Sequence, residues 1–172
     1  MEIREIQAED TYEIRHTVMW PDKDIEFVKL KEDNEGNHFG LFEDDKLISI
    51  ISLFYKNEEM QFRKFATLTD FQGRGYGTNL LKHIFQLAEK QGVKKIWCNA
   101  RGHKSAFYEK FGMRATGAGY TKGGVEFVVM VHKTIPSAFT KSSICFKVCR
   151  AVTTIRNPSR PFGTVGKFIG CK

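Results

Sequence analysis

Three glycines at alternate positions in DFQGRGYGTNLL, residues 70–81, constrain this chain more than any other feature. The run before them, EMQFRKFATL, reads as a strand, and TNLLKHIFQLAEKQG after them has helical periodicity. Glycine is a weak residue with which to open a helix, so the position calls for a bare backbone. A phosphate or a sharp turn would each ask for one. A Walker loop requires Gly-Lys-Ser/Thr, which does not follow. A dinucleotide fingerprint requires GxGxxG and an acid about 20 residues on. Here the spacing is GxGxG and the next strand, KKIWCNA, holds no acid.

A third arrangement, strand, QGRGYGT and helix, binds a diphosphate through successive amides. The first turn of a helix has N–H groups without intrahelical partners, and the helix dipole adds partial positive charge. Each hydrogen bond from such a group to a charged oxygen is worth roughly 1.5–3 kcal/mol. A plain turn before a helix remains the alternative, although it needs only one glycine.

The chain around this loop alternates strands and helices. EIREI (2–6) is a strand, and EDTYEIRHTVMW (9–20) a helix stopped by Pro21. DIEFVKL is a second short helix; HFGLFED and KLISIISLFY form a hairpin through a DD turn. After the glycine loop, Leu80, Leu81, Ile84, Phe85 and Ala88 share one helical face, ended by Gly92. VKKIWCNA is a strand, HKSAFYEKFG a short helix, and MRATGAGY and VEFVVMVHK two strands joined at TKGG. The order predicts an α+β domain over residues 1–135, built on a mixed sheet covered by helices.

QGRGYG resembles the Gln/Arg-x-x-Gly-x-Gly/Ala signature of the GNAT superfamily of acyl-CoA-dependent N-acetyltransferases. SAFYEKFGM (105–113) is similar to that family's FYEKxGF segment, and the order of elements is also the family's. The resemblance covers about residues 2–134. It implies a mostly antiparallel, mixed sheet of about seven strands flanked by about four helices. It also implies acetyl-CoA as co-substrate, no metal, and acetyl transfer to a primary amine by direct attack in a ternary complex.

Residue by residue, the resemblance implies that amides of Gly73, Arg74, Gly75, Tyr76, Gly77 and Thr78 cradle the pyrophosphate, with the Gln72 and Arg74 side chains beside it. The backbone of Phe65, Ala66 and Thr67 would pair with the pantetheine arm and polarise the acetyl carbonyl. Tyr108 stands where the family has its general acid. A phenol can supply the proton that a leaving thiolate needs, and packing beside Phe107 and Phe111 is the alternative role. Three positions depart from the pattern: Arg101 replaces a cofactor-contacting Asn, Met113 a Phe, and Thr69 a common proline. Arg101 could contact the cofactor or point outward.

For the base, Glu58, Glu59 and His38 are candidates as strand-opening residues, with Glu59 the expected choice. Arg15, His16 and Trp20 lie on the first helix, where this fold lines the acceptor pocket; Arg15, Trp20 and His38 are the expected substrate contacts. Cys98 in WCNA is expected as buried packing, not as a nucleophile.

Charge is unevenly spread. Residues 1–60 carry 16 acids and 7 bases, residues 61–135 carry 4 acids and 13 bases, and residues 136–172 carry 7 bases and no acid. Both faces can simply be solvated; alternatively the basic half attracts a polyanion such as coenzyme A and the acidic half a cationic amine. Residues 136–172 read as a basic, disordered extension, with one amphipathic helix over 144–155 as the alternative. With no membrane-length apolar run and no secretory start, a cytoplasmic protein is expected. A small-molecule or peptide amine is the expected partner, and a homodimer is common in the family. Other classes remain open: a coenzyme A-binding regulatory domain without turnover, or an RNA-associated protein using its tail.

Overall fold

The computed structural model describes residues 1–134, so the basic extension lies outside the described residues. Seven strands, β1 (Glu2–Ile6), β2 (Asn37–Glu43), β3 (Lys46–Lys56), β4 (Glu59–Thr67), β5 (Lys95–Arg101), β6 (Arg114–Lys122) and β7 (Val125–Lys133), form one sheet. Their spatial order is β1-β2-β3-β4-β5-β7-β6. All neighbours are antiparallel except β4 and β5. Among the described residues, three α-helices, α1 (Tyr12–Met19), α2 (Tyr76–Lys90) and α3 (Ser105–Glu109), flank the sheet. The mixed α+β sheet and its strand number agree with expectation.

The expected fourth helix is a single 3-10 turn, Ile25–Val28. Pro21 ends α1, and only Val28 of the turn is buried while Ile25 and Phe27 stay exposed. One anchored residue cannot supply the stripe that a helix needs to dock.

Local chemistry sets the hairpins. Asp44 and Asp45 both have positive φ (48° and 59°) between the paired Glu43 and Lys46. Gly123 and Gly124 (59° and 76°) do the same between Lys122 and Val125. Two left-handed residues match the twist of the flanking strands, and Asp and Gly tolerate that region.

The main core lies under α2 and α3. Leu80, Leu81, Ile84 and Ala88 of α2 are buried against Ile48, Ile51, Leu53, Met60, Phe62, Ile96 and Met130 of the sheet. A smaller cluster on the α1 side joins Ile14, Ile50 and Ala66.

Two irregularities open the sheet. First, β4 and β5 pair only from Glu59↔Lys95 to Gln61↔Trp97. Beyond that β4 stays with β3 as far as Thr67, and β5 with β7 as far as Arg101. The strands separate, leaving main-chain groups of β4 after Gln61 without a ladder partner on that side. Second, β4 carries a bulge where Ile50 pairs with Ala66 and Ser52 with Arg63. Lys64 lies inside it with φ of 53°, a backbone conformation that lysine rarely takes.

Candidate active site

The glycine loop closes onto the separated end of β4. Gln72 Nε2 donates to the Thr67 carbonyl at 2.9 Å, which ties the loop to the strand end. Gln72 thereby braces the loop against the end of β4. Gly73 (φ 76°) and Gly75 (φ 89°) are left-handed, and a Cβ at either would meet no atom within 4 Å. Their need for glycine is conformational, and their outer side is open. Gly77 differs. A Cβ there would lie 3.1 Å from both Phe65 Cζ and Thr67 Oγ1, so this glycine allows α2 to pack closely on β4.

Gly75 caps α2 without a side-chain hydrogen bond, and the first bond of the helix runs from Asn79 N–H to Gly75 O at 2.9 Å. The amides of Tyr76, Gly77 and Thr78 thus precede the hydrogen-bonded ladder. Lys46 and Arg74 both stack near the Phe71 ring, at 5.1 and 5.6 Å, and put two cations beside this end. The Tyr76 side chain turns the other way: it is buried, packs on Phe71 and donates to Glu43, so only its backbone can serve the loop. Free amides, an unobstructed approach and two cations are the requirements of a pyrophosphate, and the residues present fit one.

Four aromatic rings line the separation. Phe65 of β4 stacks on Phe107 (centroids 6.1 Å apart), and Tyr108 of α3 lies 5.8 Å from Phe62 and 6.5 Å from Phe65. Burial, reinforced by nearby Cys98 and only partly opposed by Arg101, pushes the Tyr108 hydroxyl well above the ordinary tyrosine range. It holds its proton throughout neutral pH. Cys98 is buried on β5, and burial pushes its thiol up to about 12. Such a thiol is almost wholly protonated at neutral pH and a poor nucleophile.

On the opposite face the structure corrects two expected substrate contacts. Arg15 is fully buried and binds Asp33 through both nitrogens, at 2.7 and 2.9 Å. It also donates to Ser52 Oγ at 2.8 Å. His38 completes the network, with Nδ1 2.8 Å from Ser52 Oγ and Nε2 2.8 Å from the Asp33 carbonyl. Burial alone would raise the Asp33 pKa. Hydrogen bonds from Arg15 and the Leu30 amide, with the Arg15 charge, outweigh it and hold the carboxyl below its usual range. Arg15 and His38 join α1 to the sheet and are withdrawn from any acceptor.

Glu59 is also corrected. It opens the closed end of the β4–β5 pair and meets Lys95 at 3.0 Å, while Glu58 meets Lys94 at 2.6 Å. Tyr108 packs against Phe62 and Phe65, farther along β4, so Glu59 lies away from that ring. Arg101 reaches toward α1, with Nη2 3.4 Å from the Met19 carbonyl and its guanidinium 6.0 Å from the Trp20 ring. It joins the arm of β5 to α1 and not to the glycine loop. Trp20 lies at the C-terminal cap of α1, edge-on to Phe27 at 5.2 Å.

No special place was expected for Lys64, which the register shift against β3 puts in a bulge with left-handed backbone. A signal for it existed. Phe62 and Phe65 lie three residues apart yet both pack on the main core, which strict alternation in a strand forbids.

Residues 10–134 match the family model described as an acetyltransferase (GNAT) domain. The chain is similar to the uncharacterized N-acetyltransferase YitI of Bacillus subtilis, at 35% identity over 144 residues, covering 78% of this chain and 97% of that protein. It is also similar to the [ribosomal protein bS18]-alanine N-acetyltransferase of Haemophilus influenzae, at 36% identity over 122 residues, 64% of this chain and 79% of that protein. Its fold resembles that of a GNAT family acetyltransferase from Elizabethkingia anophelis solved with acetyl-CoA bound, with a TM-score of 0.62, 17% identity, and 77% and 97% of the two chains covered. The chain belongs to the GNAT family and is an N-acetyltransferase.

Proposed function

We propose that this enzyme transfers an acetyl group from acetyl-CoA to a primary amine by direct attack, with both substrates bound together. The observation that carries the reading is Tyr108. A protonated phenol stands against Phe62 and Phe65, where β4 leaves β5, and the glycine loop ties to the same strand end through Gln72 and Thr67.

Acetyl-CoA supplies an activated acyl group and a thiol leaving group. Amides at the start of α2, with Lys46 and Arg74, hold its pyrophosphate. Unpaired main-chain groups of β4 between Phe62 and Thr67 take the pantetheine arm as an added strand and polarise the acetyl carbonyl. The amine nitrogen bonds to the carbonyl carbon, the carbon–sulfur bond breaks, and Tyr108 gives its proton to the departing sulfur. Burial that makes Tyr108 a weak acid makes a thiolate a strong base: the neighbouring Cys98 thiol is itself pushed up to about 12. Burial raises both groups in the same direction, so desolvation of Tyr108 does not by itself set it further from a departing thiolate. Glu58, Glu59 and His38 are engaged elsewhere, so the ammonium proton of the acceptor leaves through water.

A thiol-release assay with acetyl-CoA and a panel of amines tests the reading on wild type and Tyr108→Phe. Release with at least one amine, slowed in the variant at equal coenzyme A affinity, supports it. Coenzyme A binding with no release for any amine would instead support a binding module.

A further inference from the structure

The split between β4 and β5 is bounded differently on its two faces. On the α2 side, Phe62, Phe65, Phe107 and Tyr108 pack ring against ring. On the α1 side the link is polar. Ile96, Cys98 and Ala100 of β5 are buried in the main core, so alternation along the strand turns Arg101 to the other face. From there its Nη2 reaches the Met19 carbonyl at 3.4 Å, and its guanidinium lies 6.0 Å from the Trp20 ring. Met19 is the last residue of α1, where carbonyls lack intrahelical partners and a cation is favoured.

The far end of this contact belongs to the opposite arm. Val18 and Met19 pack on the cluster of Ile14, Ile50 and Ala66, so the end of α1 rests on the part of β4 that β5 has left. Ladder pairing between the two strands stops at Gln61↔Trp97, short of Arg101. The guanidinium therefore spans a gap that the ladder no longer closes. Trp20 is held from further sides as well. A Cβ on Gly123, in the β6–β7 turn, would come 3.9 Å from Trp20 Cη2, and Phe27 lies edge-on to the ring.

Tyr108 and the rings around it occupy the α2 side, so an amine reaches the acetyl carbon from the α1 side. We propose that Arg101 is a positioning residue for the acceptor: it ties the end of α1 and the Trp20 ring to β5, the strand that leads into α3 and Tyr108, and so sets the width of the opening through which the amine approaches. Arginine suits the task, because its planar guanidinium can donate to a carbonyl and lie against an indole at once. Arg101 acts through Met19 and Trp20 and needs no contact with coenzyme A. The inference rests on the acetyltransferase reading, and a fluorescence measurement follows the Arg101–Trp20 contact without turnover.

Arg101→Met keeps an unbranched stem and removes the donors and the charge. Thiol release is followed with acetyl-CoA and a panel of primary amines: phenethylamine, spermidine, lysine and trialanine. For the amine that wild type uses best, kcat/KM in Arg101→Met is expected to fall about tenfold while coenzyme A affinity keeps its wild-type value. Arg101→Lys, which retains a donor for the Met19 carbonyl, should recover part of the loss. In a Trp97→Phe background Trp20 is the one tryptophan left, and Arg101→Met should shift its emission to the red and raise its quenching by acrylamide. Wild-type kcat/KM in Arg101→Met overturns the inference, as does a lysine variant no faster than the methionine one. An equal loss of coenzyme A affinity overturns it too, and makes Arg101 a cofactor contact. Unchanged Trp20 emission and quenching in a variant folded by circular dichroism also overturns it. No release from wild type with any amine of the panel sinks the acetyltransferase reading and the acceptor role together; release that Arg101→Met matches sinks the acceptor role alone.

Discussion

Gly77 faces Phe65 across the α2–β4 interface: a Cβ on Gly77 would stand 3.1 Å from Phe65 Cζ. Phe65 in turn stacks on Phe107 and borders Tyr108. One missing methyl therefore connects the start of the glycine loop helix to the ring assigned as the acid.

Gly77→Ala is expected to push Phe65 and the start of α2 apart. Overpacking of this kind costs about 1–3 kcal/mol, partly offset by the better helix propensity of alanine. Chemical denaturation should show the loss, and kcat should fall along with coenzyme A affinity. Unchanged values for all three would mean that Phe65 moves freely and does not position Tyr108.

Tyr108→Phe removes the proton donor and leaves the aromatic packing in place. Loss of a positioned acid costs about 10²–10⁴ in rate. The expected result is such a drop in kcat with an unchanged melting temperature and coenzyme A dissociation constant. The wild-type rate should show no Tyr108-dependent decline below pH 10, because burial moves its ionisation above that of an ordinary tyrosine. A decline near pH 9 that disappears in Tyr108→Phe contradicts the buried assignment.

Arg15→Met strands the Asp33 carboxylate in the core, and breaking a buried pair from one side costs about 3–5 kcal/mol. The double variant Arg15→Met/Asp33→Leu should be less destabilised than the two single changes added together, as a double-mutant cycle would show. Asp33 has a lowered pKa in the folded state. Its stabilisation is thus complete above the unfolded carboxylate range and is lost as pH falls through the folded value. The denaturant midpoint of Asp33→Asn should accordingly depend less on pH below about 4 than that of wild type.

Lys64 runs the opposite way for stability. Its folded pKa, about 8, lies below the unfolded value of 10.5, so the unfolded state binds more protons between them. The folded state is penalised at pH below about 8 and recovers as pH rises toward 10.5. Lys64→Asn is expected to match or exceed wild-type stability at pH 7. Denaturant midpoints of wild type and Lys64→Asn measured from pH 7 to 10 should converge or cross as the wild-type penalty fades. A pH dependence of the same shape in both proteins assigns it to another group.

Cys98 should resist alkylation in the native protein and react only on unfolding, since burial pushes its thiol up to about 12. Peptide mass mapping after brief iodoacetamide treatment checks this at residue level. Rapid native labelling of Cys98 would show that the core between β5 and α3 opens readily.

Much of the molecule is written in short stretches. The left-handed pairs Asp44–Asp45 and Gly123–Gly124, the open glycines Gly73 and Gly75, and the apolar face of α2 each depend on the φ or periodicity of neighbouring residues. Composition and spacing reveal those directly. The FYEKFG block, likewise local, placed Tyr108.

What the chain does with its ionisable side chains was decided only by tertiary structure. Arg15 and Asp33, 18 residues apart, are drawn into one buried pair, and Glu59 lies at the closed end of a strand pair that opens farther along. Lys64 occupies a bulge whose position depends on register against β3. The reason is physical: a charged side chain has nearly the same intrinsic preferences in a solvated loop, a buried pair or an open cleft. Its role follows from which distant charges and how much water surround it, and strand register sets both.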